Sequence, residues 1–229
     1  MAKVQLVQED LDFLKALHKN NNREWFTDNK DRYTAAQQRV EVFAEALLQQ
    51  LQLHDVIETL SGKKSMHRIY RDIRFSSDKT PYKCNWSGGF KRATRSRRGG
   101  YYYHIEPGNK SEVVGGFWAP NAPDLKRIRD EVAFDAAPLR KILQSKTFVA
   151  NFGTLQGEQL KTAPKGFDKD SEGVDLLRYK QFLLRRTFTD EEVLSPSFVK
   201  LVSDTFKNMR PFFDYMSEVL TTDMNGIAL

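Results

Sequence analysis

Phe198, Leu201, Val202, Thr205, Phe206, Met209, Phe212, Phe213, Met216, Val219 and Leu220 fall at the three- and four-residue intervals that place side chains on one face of an α-helix. A face so wide and aromatic must be covered, so the rest of the chain has to supply a large opposing apolar surface. Ser195-Pro196 suits the opening of this helix, and Pro211 should kink it. Part of the opposing surface is readable at the other end of the chain. Leu11, Leu14, Ala16 and Leu17 form a stripe after the acidic opening Gln8-Glu9-Asp10, which stops at the polar run 18–22. A second helical region starts near Arg23-Glu24-Trp25-Phe26. It becomes long after Asp31, with Tyr33, Val40, Phe43, Ala44, Leu47, Leu48 and Leu51 on one face.

From Ser65 the pattern changes. HRIYRDIRF (67–75), NWSGGFKRA (85–93), YYYHIE (101–106) and SEVVGGFW (111–118) are short, aromatic and β-branched, and Pro81, Gly88-Gly89, Gly99-Gly100 and Pro107-Gly108 punctuate them. This predicts an antiparallel meander. Asn121 then caps a helix carrying Leu125, Ile128 and Val132, and a second helix is expected over 137–145. A loop-rich stretch, 153–173, precedes a helical turn in DLLRYK and a strand over 182–188; Thr189 with Glu192 forms a capping box after it. No linker or repeat divides these pieces. The expectation is one α+β domain spanning 1–229, with an antiparallel sheet from the middle of the chain packed against N- and C-terminal helices.

Composition narrows the class. With 229 residues, 40% hydrophobic and 12% aromatic, the chain can bury a substantial core. No apolar run reaches the ~18–20 residues of a membrane span, and the amphipathic, acidic N-terminus does not read as a signal peptide, so the chain reads as a soluble, cytoplasmic protein without a membrane partner. A single cysteine, Cys84, excludes an internal disulfide framework and a multi-cysteine metal site. The histidines at 18, 54, 67 and 104 lack zinc-protease spacing, and no calcium-loop pattern of carboxylates occurs; no metal is assigned and no cofactor is readable.

Charge is uneven. Residues 63–100 hold 12 Lys or Arg against Asp72 and Asp78, a net +10, whereas the remainder carries −4. Clustered positive charge favours an anionic partner. Its centre is RDIRFSSDKTPYK (71–83). Strand alternation would put Ile69, Arg71 and Ile73 on an apolar face and Arg68, Tyr70, Asp72 and Arg74 on the other. An arginine among isoleucines needs a partner or a ligand. The division expected from this is Arg71 as an internal strut and Arg74, Lys79 and Lys83 as the anion-facing set, with Tyr82 beside them. Lys161 and Lys165 in LKTAPKGF would line the same site from the opposite side, or form a solvated loop. His104, on a strand with Tyr101–Tyr103, would be a general base only with a reactive partner; otherwise it is a hydrogen-bonded strand histidine.

RIYRDIRFSSDKTPYK, followed in order by GGYYYHIEPG, VVGGFWAP, LQGEQLKTAPKGF, DLLRYKQF and TDEEVLSPSFV, resembles the bacterial and fungal family known as domain of unknown function 2461, over about 11–220. The resemblance implies one compact domain and brings no reaction, substrate or cofactor. Where that family often reads His-Pro before the DLL segment, this chain has Ser171, Glu172 and Gly173, so no histidine role carries over.

Three functions follow as expectations. The first is a module binding a phosphate-bearing small molecule or other anion at Arg71, Arg74, Lys79 and Lys83. The second is a metal-assisted phosphoester hydrolase using Asp72 and Asp78. The third is sequence-independent nucleic-acid binding through the basic loop RATRSRRGG, 92–100. Oligomeric state and catalytic residues are not readable from the chain.

Overall fold

The computed structural model describes residues 4–93, 97–223 and 227–228. The fold is α+β, with eleven helices among the described residues and one four-stranded antiparallel sheet from the middle of the chain. Strands β1 (Trp86–Lys91), β2 (Gly100–Ile105), β3 (Ser111–Phe117) and β4 (Phe182–Phe188) lie in the order β1-β2-β3-β4. Helices α1 (Gln8–Lys19), α2 (Arg23–Asp28), α3 (Lys30–Gln52) and α4 (Gly62–Ser65) precede the sheet. Helices α5 (Ala122–Phe134), α6 (Ala137–Leu143), α7 (Lys146–Phe152) and α8 (Val174–Leu177) lie between β3 and β4, and α9 (Asp190–Val193), α10 (Phe198–Asn208) and α11 (Arg210–Thr221) follow. No described helix is long and apolar enough to cross a membrane. The expected C-terminal helix is interrupted at Met209, and Pro211 sits in the first turn of α11, where its missing N–H costs nothing.

The chain folds into two compact units. One comprises Met1–Phe90, Tyr102–Val113 and Thr187–Asp204; the other comprises Lys91–Tyr101, Val114–Arg186 and Thr205–Leu229. In the first, an aromatic cluster joins the N-terminal helices to the segment that follows them. Phe26 stacks on Tyr82 at 4.0 Å and 13°, and Phe13 stacks on Trp86 at 6.0 Å. The fully buried Asp10 of α1 accepts from Arg39 Nε of α3 at 2.8 Å. The turn after β2 is clipped to α9: the Asp190 carboxylate accepts from the Gly108 and Asn109 N–H groups, both at 2.9 Å, and the Asn109 side chain accepts from Asp190 N–H at 2.8 Å. Asn109 takes φ 60°, a left-handed conformation that asparagine tolerates better than most residues.

The segment 67–75, expected to be the first strand, is not one. It makes only isolated antiparallel bridges, Met66 with Gly88 and Tyr70 with Tyr82. His67 N–H donates to Ser87 C=O at 2.8 Å and Lys83 N–H to Ile69 C=O at 2.7 Å, so one residue on the first side faces three on the second. That bulge breaks the ladder and turns Cys84 and Asn85 aside. The alternation survives nonetheless: Ile69 is buried and Arg71 and Ile73 are half-buried, while Arg68, Tyr70, Asp72 and Arg74 are exposed.

In the second unit the core is built on Phe206, Met209, Phe212 and Phe213, all essentially inaccessible to solvent. Arg92 is buried among them. Its guanidinium donates to Asp214 Oδ1 at 2.8 Å, Arg98 C=O at 2.9 Å and Ser217 Oγ at 3.3 Å, and lies 4.8 Å from the Phe213 ring centroid. Asp214 is 51% exposed and keeps Arg210 at 3.1 Å, so loss of the guanidinium falls on the volume beside Phe213 and on the Arg98 carbonyl that it bonds. Arg92→Ala should therefore cost about 2–4 kcal/mol in urea unfolding, and Arg92→Met, which refills the volume, should cost less.

Candidate functional site

A cleft of about 320 Å³ lies in the first unit, where the motif 71–83 meets the end of α1. His18 and Asn21 line it on one side, Arg71, Asp78, Thr80, Tyr82 and Lys83 on the other, and the bulge contributes Cys84 and Asn85. Three consecutive asparagines hold the helical side. Asn20 ends α1 with its side-chain N–H donating to Ala16 C=O at 2.9 Å, and Asn22 caps α2 by accepting from Trp25 N–H at 2.9 Å. Asn21 behaves like a short piece of paired strand: its amide donates to Tyr82 C=O at 2.9 Å and accepts from Tyr82 N–H at 3.1 Å. The same amide lies 3.4 Å from Cys84 Sγ.

Arg71 is a strut within the motif. Its guanidinium is bonded to the Asp78 carboxylate and the Thr80 hydroxyl, and its N–H donates to Pro81 C=O at 2.9 Å. Asp78 in turn accepts from Thr80 N–H at 2.9 Å and Thr80 Oγ1 at 2.8 Å. The Thr80 backbone bond, followed by Arg71, lowers the Asp78 carboxyl from 3.8 to about 2. Asp72 is engaged separately. It forms a bidentate pair with Arg74, at 2.9 and 2.7 Å, and the Arg74 side chain is 76% exposed. Lys79 is exposed and donates to Ile73 C=O at 3.0 Å.

Lys83 differs from these cations. It is half-buried in the cleft and has no hydrogen-bond or ion-pair partner for its ammonium among the described residues. Burial first, and the nearby charge of Arg68 second, lower its pKa from the ordinary lysine value. Burial pushes the Cys84 thiol up, with Asn21 opposing, so the thiol is protonated at neutral pH and is not an activated nucleophile.

Of the residues singled out in the sequence, the cleft brings together Arg71, Tyr82 and Lys83. Tyr82 contributes mainly through its buried ring. Arg74 and Lys79 lie on the motif but do not line the cleft, and Lys161 and Lys165 are exposed in a loop of the second unit. His18, Asn21 and Asn85 were not singled out for the site, although the polar run 18–22 marked where the first two would sit. Asp72 and Asp78 each hold their own arginine, which leaves no shared pair of free carboxylates. Within the basic loop, Thr94–Ser96 lie outside the described residues. Arg92 is buried on Asp214, and Arg98 is bonded to Asp124, so neither offers a free charge to a polyanion. The second unit holds a larger cavity of about 560 Å³ whose lining, including Asp130, Glu131, Glu218 and Asp223, has the opposite sign.

A carboxyl lowered on folding stabilises the folded state above its unfolded value and loses that contribution as pH falls through the folded value. The Asp78 bonds should therefore be intact above about pH 4 and lost toward pH 2. Amide exchange at Thr80 should accelerate over that interval, and Asp78→Asn should remove the acid dependence.

No curated protein and no solved structure matches the chain. A family model does match, described as a conserved hypothetical protein and covering residues 9–215. The chain therefore belongs to the domain of unknown function 2461 family.

Proposed function

We propose that the cleft at the motif 71–83 binds a small anion, with a phosphate-bearing molecule as the favoured class. One observation carries this reading: Lys83 is a half-buried ammonium with no carboxylate partner among the described residues, in a cleft that also holds Arg71. Desolvating an unpaired charge costs free energy, and an anion arriving at Lys83 offsets that cost. Arg71 is oriented beforehand by Asp78 and Thr80, so a ligand meeting its remaining N–H groups loses little side-chain entropy. Asn21 and Asn85 supply neutral polar groups that select a small ligand by shape. A volume of about 320 Å³ suits a phosphorylated metabolite better than a polymer.

Thermal unfolding with inorganic phosphate, pyrophosphate and ATP tests the reading. An anion present at about a hundred times its Kd should raise Tm by about 5–10 °C for a chain of this length. Lys83→Gln, which removes the uncompensated charge, should keep or raise the unliganded Tm and lose the shift. The absence of a shift with all three anions, or a shift that persists in Lys83→Gln, would remove the basis for the proposal.

A further inference from the structure

Within the same unit as the cleft, five polar side chains follow one another in space. His104 Nε2 lies 2.9 Å from Glu106 Oε2, and His104 Nδ1 lies 3.3 Å from the Tyr102 hydroxyl. The His67 and Tyr102 rings lie 5.9 Å apart, Ser87 Oγ lies 3.5 Å from His67 Nδ1, and Ser87 is near enough to the Tyr102 phenol to favour its ionised form. The strands explain the alignment. Tyr101, Tyr103 and Ile105 are buried on one face of β2, so Tyr102 and His104 share the other, with Glu106 next in register. Ser87 is on the neighbouring β1, and the bridge at Met66 brings His67 alongside it.

The chain of groups has one polarity. A carboxylate only accepts, so His104 presents Nε2–H to Glu106 and leaves Nδ1 as an acceptor. The Tyr102 hydroxyl then donates to His104, and its oxygen accepts from Ser87, consistent with the Ser87 bond favouring the phenolate. With its proton so used, Ser87 can only accept from His67 Nδ1–H, which leaves His67 Nε2 with a lone pair at the exposed end.

We propose that Glu106, His104, Tyr102, Ser87 and His67 form a proton relay, and that His67 Nε2 is an acid–base centre for an anionic ligand bearing an O–H group held at Lys83. The link to Lys83 rests on the anion-binding reading of the cleft; the relay itself does not. A proton taken from that O–H onto Nε2 is matched by transfer of the Nδ1 proton to Ser87, the Ser87 proton to Tyr102 and the Tyr102 proton to His104 Nδ1. Positive charge then rests on the His104 imidazolium beside the Glu106 carboxylate, and His67 is again neutral in its other tautomer. The ligand oxygen keeps the electron pair, and nothing is oxidised or reduced.

The surroundings favour this direction. Burial and then the charge of Lys83 lower the His67 pKa, so the ring is neutral and able to accept a proton. An anion at Lys83 cancels that repulsion and raises the proton affinity of His67 as the ligand arrives. The other charged groups acting on the relay are Lys110, 3.4 Å from Glu106 Oε1, and Glu112, which acts on Tyr102; Cys84 lies within the field of Glu106.

Long-range ¹H–¹⁵N correlation of the histidine rings in the full chain reads the tautomers directly. At neutral pH, His104 should carry its proton on Nε2 and His67 on Nδ1. Tyr102→Phe, with an otherwise unchanged amide spectrum, should abolish the Nδ1–H preference of His67. An Nε2–H tautomer at His67 in the wild type, or a His67 signal indifferent to Tyr102→Phe, overturns the relay. Pyrophosphate should move the His67 proton from Nδ1 to Nε2 and protonate His104 Nδ1 in the wild type, and leave both rings unchanged in Lys83→Gln. If pyrophosphate raises the wild-type Tm but leaves His67 unchanged, the link to the cleft is wrong and anion binding stands. If it gives no thermal shift, the cleft reading fails, and the tautomers alone decide the relay.

Discussion

The contact between Phe26 and Tyr82 is what ties the charged motif to the helices. Two rings 4.0 Å apart and nearly parallel bury apolar area on both sides, and the Asn21 amide fixes the backbone of Tyr82 from the same direction. Without a regular strand, the segment around residues 67–75 lacks the continuous ladder that would otherwise set its register. The stack and the asparagine replace the missing ladder bonds. They hold Arg71 and Lys83 at the rim of the cleft while the intervening turn, with its exposed Arg74 and Lys79, extends into solvent.

Four arginines among the twelve cations between residues 63 and 100 are held in ion pairs. Arg71 goes to Asp78, Arg74 to Asp72, Arg92 to Asp214 and Arg98 to Asp124. These pairs differ in cost. Arg74 and Asp72 are exposed and contribute little, because water screens them, whereas Arg92 is fully desolvated and depends on its partners. Asp72 and Asp78 already enter the net +10 of this segment, whereas Asp214 and Asp124 lie outside it and lower further the field that a ligand meets. Lys83 stands out by position, since it is the cation that the bulge and the aromatic cluster jointly withdraw from water.

The strongest periodicities were legible in the sequence. The stripe from Phe198 to Leu220 became α10 and α11, Thr189 with Glu192 formed its capping box, and β4 took the expected bounds. The helix α7 was not anticipated: Ser145, at the end of the range expected for α6, instead caps the next helix, its hydroxyl accepting from Phe148 N–H at 3.2 Å. The segment 67–75 had a strand's alternation but failed to form one. Alternation reports which side chains are covered, and the bulge that breaks the ladder arises from residues 84–86 opposite it. In the site, the role of Arg71 followed from local pattern. The cleft needed Asn21, about sixty positions away from Tyr82, and no spacing rule reaches that far.

The clip between Asp190 and the turn at Gly108 and Asn109 joins positions up to 82 residues apart. Closing so long a loop is entropically costly until the intervening chain is compact, so this contact belongs to the last stages of folding. On a ribosome, β2 and β3 emerge well before Asp190 is synthesised, and the Glu106 side of their turn has to wait for it. The cleft, whose Asn21 and Tyr82 are 61 positions apart, can therefore close on the nascent chain before Asp190 is made, whereas the turn at Gly108 and Asn109 gains its clip only afterwards.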